Sequence, residues 1–267
     1  MKNLRIMGSG ELRVLNHILF EYKKFNLWES SIILGYRGSI THGTYLKGGK
    51  FDDKDIMGIA IAPMDYYLGL QNFEQFERLP SETDPWDIVI YEFKKYINLL
   101  IKSNPNVLAL LWLPKKFYLK VSPLGQLLID NRNLFVSKQA YHSFSGYAYS
   151  QLHKMTPEKV TGRMGDKRKE LVSKFGYDVK NASHLIRLLK MGIEFLVEGE
   201  LFIERKDANQ LIEIKRGEWK LNKVLKLADN LFAQCKDAYI HSALPAKPDI
   251  ESINLLAHQI MKSYFIS

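Results

Sequence analysis

Cysteine is nearly absent from this sequence, since Cys235 is the single cysteine in 267 residues. One cysteine excludes an intrachain disulfide and every zinc site that needs several cysteine ligands. Proteins without disulfides are typical of reducing compartments, so the expected location is the cytoplasm.

Long hydrophobic runs are also missing. No stretch approaches 18 uncharged apolar residues, and the segment Met1 to Val14 has no apolar core of signal-peptide length. A membrane span is therefore not expected. The chain is not polar throughout, because 46% of its residues are hydrophobic, which is enough for the core of one large domain or two smaller ones.

The glycines form neither of the two common nucleotide-binding loops. Gly35, Gly38 and Ser39 follow a short β-branched run, but both the Gly-Lys-Ser/Thr ending of a P-loop and the glycine spacing of a Rossmann fold are missing. A P-loop ATPase and a dehydrogenase are therefore disfavoured. The run Ile32 to Leu34 instead predicts a buried strand that ends in a turn where the backbone can approach a phosphate closely.

Acidic residues are outnumbered, with 29 against 38 lysines and arginines and a formal charge of +9. This excess favours a polyanionic partner, although many basic proteins bind no nucleic acid. The densest group of cations predicts either a binding surface for a polynucleotide backbone or a solvated helix face beside a loop. It comprises Lys154, Lys159, Arg163, Lys167, Arg168, Lys169 and Lys174.

Two of the acids stand at the start of a second predicted strand. Asp53 and Asp55 flank Lys54 and precede the apolar run Ile56 to Ile61, so alternation places both carboxylates on one face. Carboxylates so close together repel each other unless a cation or solvent neutralises them. Mg²⁺ is the favoured cation, because it binds a few carboxylates and takes its other ligands from water and substrate phosphates. The alternative is a solvated acidic loop.

The Gly-Ser turn, the spacer and the Asp-x-Asp strand together resemble the DNA polymerase β nucleotidyltransferase superfamily. Over nearly the whole chain, further segments are similar to its RlaP-type branch, named for its association with RNA ligases. The segments are Gly38-Ser39-Ile40-Thr41-His42-Gly43-Thr44, Asp53-Lys54-Asp55-Ile56-Met57-Gly58, Asn104-Pro105-Asn106 and Gly176-Tyr177-Asp178-Val179-Lys180. One departure is Ala109, which stands where an acidic residue is expected and puts a supporting contact behind the carboxylates in doubt.

The resemblance implies an α+β fold, with a small mixed sheet of the polymerase-β-like nucleotidyltransferase type, flanking helices and a helical C-terminal lobe. The nucleotidyltransferase domain that carries the carboxylates is expected over residues 1–116, and the mainly helical domain that closes the nucleotide cleft over residues 117–267. Apolar periodicity predicts helices over residues 11–22, 93–102, 107–113, 124–130, 138–154, 166–175, 179–196, 208–215, 221–235 and 250–263.

The resemblance also implies roles for individual residues. Gly38 and Ser39 would contact the triphosphate, and Asp53 and Asp55 would hold two divalent ions, Mg²⁺ or Mn²⁺. A third carboxylate would hold the ion that activates the nucleophile. Such ions supply the charge neutralisation and positioning that phosphoryl-type transfer needs more than covalent help.

The third carboxylate is expected on the predicted strand Trp86 to Tyr91. Asp87 and Glu92 are both possible, and alternation places them on opposite faces. Asp87 is favoured, because it begins the strand, where its side chain can reach the ends of the neighbouring strands. The segment before it, residues 66–85, is polar and rich in proline near its end, which predicts an irregular loop or lid.

A basic stripe is predicted on the helix after Asp178. Lys180, His184 and Arg187 recur at i, i+4 and i+7 and so share one face, which the resemblance directs at the phosphates or base of a nucleotide. The alternative is a solvated helix face. His42 either hydrogen-bonds a phosphate or orients the turn, or it is an exposed histidine without a special role.

The expected activity is metal-dependent transfer of a nucleotidyl group from an NTP, such as ATP, to a hydroxyl, with release of pyrophosphate. The favoured acceptor is an RNA 3′ end, from a tRNA or another RNA, bound by Arg163, Lys167 and Arg168. One alternative is a protein or small-molecule hydroxyl as acceptor. The other is a nucleic-acid-binding protein whose nucleotidyltransferase fold no longer catalyses, which the presence of three carboxylate candidates disfavours.

Overall fold

The computed structural model describes residues 8–46, 54–81, 83–155 and 166–266, and the predicted α+β class is confirmed. The strands are β1 (Ser31–Tyr36), β2 (Lys54–Ala60), β3 (Gln75–Arg78), β4 (Trp86–Glu92) and β5 (Tyr118–Val121). The helices are α1 (Ser9–Phe20), α2 (Leu27–Ser30), α3 (Asp65–Leu68), α4 (Phe93–Ile101), α5 (Pro105–Leu111), α6 (Pro123–Asp130), α7 (Gln139–Met155), α8 (Asp166–Phe175), α9 (Val179–Glu198), α10 (Ala208–Lys215), α11 (Leu221–His241) and α12 (Ile250–Ile266).

The five strands form one mixed sheet in the order β3-β4-β2-β1-β5. Only β2 and β4 run parallel among these strands, and the other neighbours are antiparallel. All residues of β1 are buried, which explains why its sequence is apolar without alternation. The parallel pair β2 and β4 lies near the middle of the sheet and carries Asp55 and Asp87.

Two strands lie where the sequence did not indicate them. The prediction of an irregular loop over residues 66–85 was wrong for β3, which pairs with β4 and places Phe76 opposite Ile90. Most of its residues are polar and only partly buried, so an edge strand of this kind carries little hydrophobic signal. β5 pairs with β1 on the other edge and lies after residue 116, so the sheet includes residues from both sides of the predicted domain boundary.

The C-terminal lobe is built around α9, which contacts α7, α10 and α11. Asp178 caps the start of α9, where its side chain accepts hydrogen bonds from the backbone N–H groups of Lys180 and Asn181. Gly199, with a φ of 71°, caps its end. Gly192 lies directly against the side chain of Phe144, so any larger residue there would push α7 and α9 apart. These features fix the position and rotation of α9 in the lobe.

The sheet and the C-terminal helices share one cluster of buried hydrophobic residues. The last helix, α12, returns to contact α4 and α6, and the rings of Tyr67 and Phe265 meet edge to face with their centroids 5.7 Å apart. The division into domains at residue 116 stays a prediction. No helix in the described part of the chain is long and apolar enough to cross a membrane.

Glu92 lies at the junction of β4 and α4, where it is buried and caps the helix. Its Oε2 accepts a hydrogen bond from the backbone N–H of Lys95 at 2.8 Å, and the Tyr67 hydroxyl donates to its Oε1 at 2.7 Å. Both oxygens are therefore engaged in holding the fold together.

We expect Glu92→Ala to lower the free energy of unfolding by about 2 kcal/mol, because it removes a helix cap and leaves a buried hydroxyl without its acceptor. Urea unfolding followed by circular dichroism measures this loss. Glu92→Gln, which keeps one side-chain oxygen as an acceptor, should lower the free energy of unfolding by less than Glu92→Ala. A change below about 0.5 kcal/mol for Glu92→Ala, the range of ordinary surface substitutions, would contradict this structural role.

Candidate active site

A cavity of about 1580 Å³ lies between the sheet and the C-terminal lobe. Pockets for one small ligand typically measure about 300–1,000 Å³, so this cavity has room for more than a nucleotide. Its polar lining includes Arg37, Ser39, His42, Asp55, Asp87, Lys180, His184, Arg187 and Lys215. The residues come from β2, β4, α9, α10 and the turn after β1, so both lobes build the site.

Asp55 and Asp87 are register partners across the parallel strands β2 and β4, and both line the cavity. Partners in a parallel pair project to the same face of the sheet. Lys54, one residue earlier, lies over the ring of Trp86 at 4.9 Å, and its Nζ contacts Oε1 of Glu11 at 2.6 Å. The pairing therefore brings two of the three predicted carboxylates together, whereas Asp53 lies outside the described residues.

Glu92, the alternative third carboxylate, is the register partner of Ala60 at the far end of β4. Its two oxygens serve Tyr67 and the start of α4. Asp87, by contrast, lies beside Asp55 and faces the cavity. This geometry favours Asp87 over Glu92 as a functional carboxylate.

The turn after β1 folds directly against Asp55. Gly38 has a φ of 74°, and a Cβ atom at this position would collide with Oδ2 of Asp55, so both conformation and space require glycine. The Thr41 hydroxyl donates to the Gly38 carbonyl at 2.9 Å, and the Thr44 N–H donates to the Ser39 carbonyl at 3.0 Å. The backbone at Gly38, predicted to approach a phosphate closely, thus approaches the carboxylate of Asp55. Ser39 lines the cavity beside it.

His42 is buried, and its Nδ1 lies 2.9 Å from the carbonyl oxygen of Ile203. Because a carbonyl oxygen only accepts, Nδ1 carries the proton and donates. Burial, followed by the charge of Arg187, lowers the His42 pKa well below its usual range, so the ring is neutral and Nε2 is an acceptor. The hydrogen bond to Ile203 holds the ring against the C-terminal lobe and favours a role in orienting the turn, and a contact of His42 with phosphate stays a prediction.

All three residues of the predicted basic stripe, Lys180, His184 and Arg187, line the cavity. Burial lowers the pKa of His184 to about 3, with Arg187 as the next cause, so His184 is neutral at pH 7. Burial also lowers the pKa of Arg187 to about 10, and the charge of Arg205 adds to this effect. Among the described residues, no carboxylate lies within ion-pair distance of Arg187, whose Nη1 contacts Sδ of Met191 at 3.4 Å.

Lys215 of α10 also lines the cavity, and no sequence pattern identified it. It forms the basic wall of the cavity together with Lys180, His184 and Arg187. Its Nζ donates to the Thr44 carbonyl at 2.9 Å and to the Thr44 hydroxyl at 3.2 Å. Burial lowers its pKa to about 8, the charges of Arg187 and Lys180 contribute, and Asp55 opposes the shift. The negative charge near the cations of α9 and α10 is therefore too small to balance their positive charge. Such an excess of positive charge is typical of a site that binds anions.

The other predicted binding residues lie beside the cavity or outside the described part. Arg163 lies outside the described residues. Lys167 and Arg168 lie in the first turn of α8, and the structure describes their backbone but not their side chains. Leu171, one helical turn further along α8, lines the cavity. Pro105, Asn106 and Ala109 also line it, so the expected acidic position contributes an apolar surface.

Within the described residues, no group of three or more histidine, cysteine, aspartate or glutamate side chains is arranged to hold a metal ion. Asp55 and Asp87 supply two carboxylates on one face of a polar cavity. Mg²⁺ commonly binds one or two carboxylates and completes its shell with water and substrate phosphates. The donor set at this edge therefore fits a divalent ion of that kind.

The model of the RlaP family, described as an RNA repair pathway DNA polymerase beta family, matches residues 35–259. The chain belongs to the RlaP family. Membership in a polymerase beta family supports nucleotidyltransferase activity in general, and such enzymes typically use divalent metal ions and an NTP. No curated protein matches the chain. The matched RlaP region includes the turn after β1, Asp55, Asp87 and the basic wall.

The lowered pKa of Lys215 predicts a pH-dependent stability. Between about pH 8, the folded-state pKa, and pH 10.5, the ordinary lysine value, the unfolded chain holds a proton that the folded chain lacks. The contribution of Lys215 to the free energy of unfolding therefore rises with pH across this window. We expect the stability of the wild type relative to Lys215→Met to increase from pH 7.5 to pH 9.5 in urea unfolding. If the free energies of unfolding of the two proteins changed in parallel with pH, the lowered pKa of Lys215 would be contradicted.

Proposed function

We propose that this protein transfers a nucleotidyl group from an NTP to a hydroxyl acceptor with the help of divalent metal ions and releases pyrophosphate. The observation that carries the proposal is the juxtaposition of Asp55 and Asp87 across β2 and β4, opposite a basic wall in the same cavity. Carboxylates with metal ions on one side and fixed cations on the other are what transfer from a triphosphate needs.

The basic wall is suited to hold the triphosphate. Lys180, Arg187 and Lys215 face the cavity from two adjacent helices, and the neighbouring phosphates would supply the negative charge that this wall lacks. Arg187 presents a planar guanidinium that can donate two parallel hydrogen bonds to a phosphate. His184, which is neutral, would donate or accept a single hydrogen bond to the nucleotide. Ser39 and the backbone of the turn would complete the phosphate contacts.

The carboxylates would hold the metal ions on the opposite side. Asp55 and Asp87, together with Asp53 as the family resemblance implies, are the proposed ligands of Mg²⁺ or Mn²⁺. When bound, these ions neutralise phosphate charge and lower the pKa of the attacking hydroxyl. Asp87 is the proposed neighbour of that hydroxyl, as the family resemblance implies for the third carboxylate.

The direct test is incubation of the protein with each labelled NTP, Mg²⁺ and total RNA. We expect label to enter RNA with the wild type, and Asp55→Asn or Asp87→Asn to reduce transfer at least about 100-fold, because each removes a charge that acts on the reacting phosphate. Circular dichroism checks that both variants fold, because Asp87→Asn also removes the anionic partner of Arg37, whose Nη2 donates to Oδ1 of Asp87 at 2.6 Å. Near-normal transfer by either variant would contradict the site assignment.

We propose an RNA 3′ end, of a tRNA or another RNA, as the acceptor. The charge of +9 and the RNA repair description of the family support this choice, as does the cavity, which is larger than a nucleotide requires. Arg163, Lys167 and Arg168 are the proposed contacts to the RNA backbone. Leu171, on the same helix as Lys167 and Arg168, lines the cavity, so an RNA bound along α8 would lie beside it.

Replacing Arg163, Lys167 and Arg168 by alanine should weaken RNA binding and flatten its salt dependence by about one unit of log-log slope for each phosphate that the variant no longer neutralises. Fluorescence anisotropy with a labelled RNA at several salt concentrations measures the slope. The matched control replaces Lys226, Lys236 and Lys247, three exposed lysines that do not line the cavity, and should leave the slope nearly unchanged. Identical slopes for the wild type and the first triple variant would favour a protein or small-molecule acceptor.

A further inference from the structure

Arg37 is a cation on the carboxylate side of the cavity. It stands between β1 and Gly38, and its Nη2 donates to Oδ1 of Asp87 at 2.6 Å. The two side chains keep 33% and 27% of their surface exposed, so the pair faces the cavity rather than the core. Nε of Arg37 is buried without a hydrogen-bond partner in the described part of the protein.

This ion pair differs from one that mainly stabilises a fold. Arg205 shows the usual structural arrangement, since both of its terminal nitrogens contact Glu194 and its Nε donates to Asp207 at 2.9 Å. Arg37 uses one nitrogen for one oxygen and leaves Nε unsatisfied, although a buried donor without a partner is costly. Its side chain keeps 33% of its surface exposed, so the guanidinium has donor capacity beyond the bond to Asp87 that two oxygens of one phosphate could engage.

Arg37 also differs from the other cations of the cavity in the groups on which its charge acts. Burial and then the charges of Arg187 and Lys180 lower the pKa of Lys215, and Asp55 acts on it in the opposite direction. Burial and then the charges of all three cations lower the pKa of His184. The charge of Arg37 instead acts to lower the pKa of Tyr91, which lies further along β4 than Asp87 and whose pKa burial raises. If the α9 and α10 cations bind the triphosphate, Arg37 remains on the side of the carboxylate proposed to lie next to the attacking hydroxyl.

We propose that Arg37 binds a phosphate of the acceptor, next to the reacting hydroxyl, and is held on Asp87 while the site is empty. The proposal rests on the proposed function. Arg37 leaves Asp87 when a divalent cation takes that carboxylate, because two positive charges at one carboxylate repel each other. The phosphodiester before a terminal hydroxyl then offers the guanidinium a planar pair of oxygens.

The chemical class of acceptor follows from this exchange. A hydroxyl that has a phosphodiester beside it, as at the end of a nucleic acid chain, gives Arg37 a partner. A free nucleoside, or a serine, threonine or tyrosine hydroxyl of an unmodified protein, does not. Arg37 would therefore couple occupation of the metal site to the presence of a nucleic acid end.

The first test measures Mn²⁺ affinity without nucleotide, by electron paramagnetic resonance, in the wild type, Arg37→Met and Arg78→Met. Removing the competing guanidinium should raise the Mn²⁺ affinity about fivefold, the worth of a partly exposed ion pair. Arg78→Met is the matched control, because Arg78 pairs with Asp84 at 2.7 Å and neither side chain lines the cavity. Its Mn²⁺ affinity should equal that of the wild type.

The second test compares acceptors. A dinucleoside monophosphate contains one phosphodiester beside its terminal hydroxyl, and the matching nucleoside contains none. For Arg37→Met we expect the KM of the dinucleoside monophosphate to rise about tenfold, the effect of losing one charged hydrogen-bonding pair, while the KM of the NTP changes less than about twofold. The wild-type preference for the dinucleoside monophosphate over the nucleoside should disappear.

The outcomes distinguish this proposal from the function on which it rests. If Mn²⁺ binding requires Asp55 and Asp87 but is unchanged or weaker in Arg37→Met, the role of Arg37 is wrong and the proposed function stands. If the wild type neither binds Mn²⁺ nor transfers label from any NTP, both are wrong. Circular dichroism establishes that each variant folds. If Arg37→Met does not fold, Arg37→Gln, which is neutral but keeps an amide donor, replaces it in both tests.

Discussion

The register between β2 and β4 is the constraint on which the candidate site depends. A shift by one residue would turn Asp87 to the opposite face of the sheet from Asp55, because side chains alternate along a strand. Contacts at both ends of the pair oppose such a shift. At one end, Lys54 binds Glu11 and covers the ring of Trp86, and at the other, Glu92 anchors β4 to the start of α4. Glu92, whose carboxylate stabilises the fold, thus helps to position Asp87, whose carboxylate faces the cavity.

The opposite wall of the cavity has an electrostatic cost that packing must offset. Burial lowers the pKa of Arg187 to about 10 and that of Lys215 to about 8, so holding both charged in the empty site is unfavourable. Arg205, close by, is compensated by Glu194 and Asp207. The hydrophobic face of α9 packs against α7 and α11 and holds Arg187, and α10, which packs on α9, holds Lys215. A bound triphosphate would supply the missing negative charge.

Local patterns predicted the fold better than they predicted the site. Apolar spacing predicted α9, α10, β1, β2 and β4, whereas the last turn of α9, which runs to Glu198 and is capped by Gly199, extends beyond the predicted end at residue 196. β3 escaped notice because an exposed edge strand has no continuous apolar face. Lys215 lies in a polar stretch without a motif, and only the folding of α10 against the turn brings it to Thr44. Arg37 stands inside the glycine turn itself, so its position was visible, but its pairing with Asp87, fifty residues away, was not.

The turn after β1 depends on the C-terminal lobe for its shape. The Ile203 carbonyl fixes the His42 ring at 2.9 Å, the Arg205 N–H donates to the His42 carbonyl at 3.3 Å, and Lys215 donates to the Thr44 carbonyl at 2.9 Å. Hydrogen bonds at His42 and Thr44 therefore join the proposed phosphate-binding turn to residues that lie after the predicted domain boundary. The sheet alone would keep Asp55 and Asp87 in register, but it would lack both the basic wall and the supports of the turn. The proposed nucleotide site thus requires the two lobes together, and any motion that separates them would release the proposed triphosphate contacts and the turn at once.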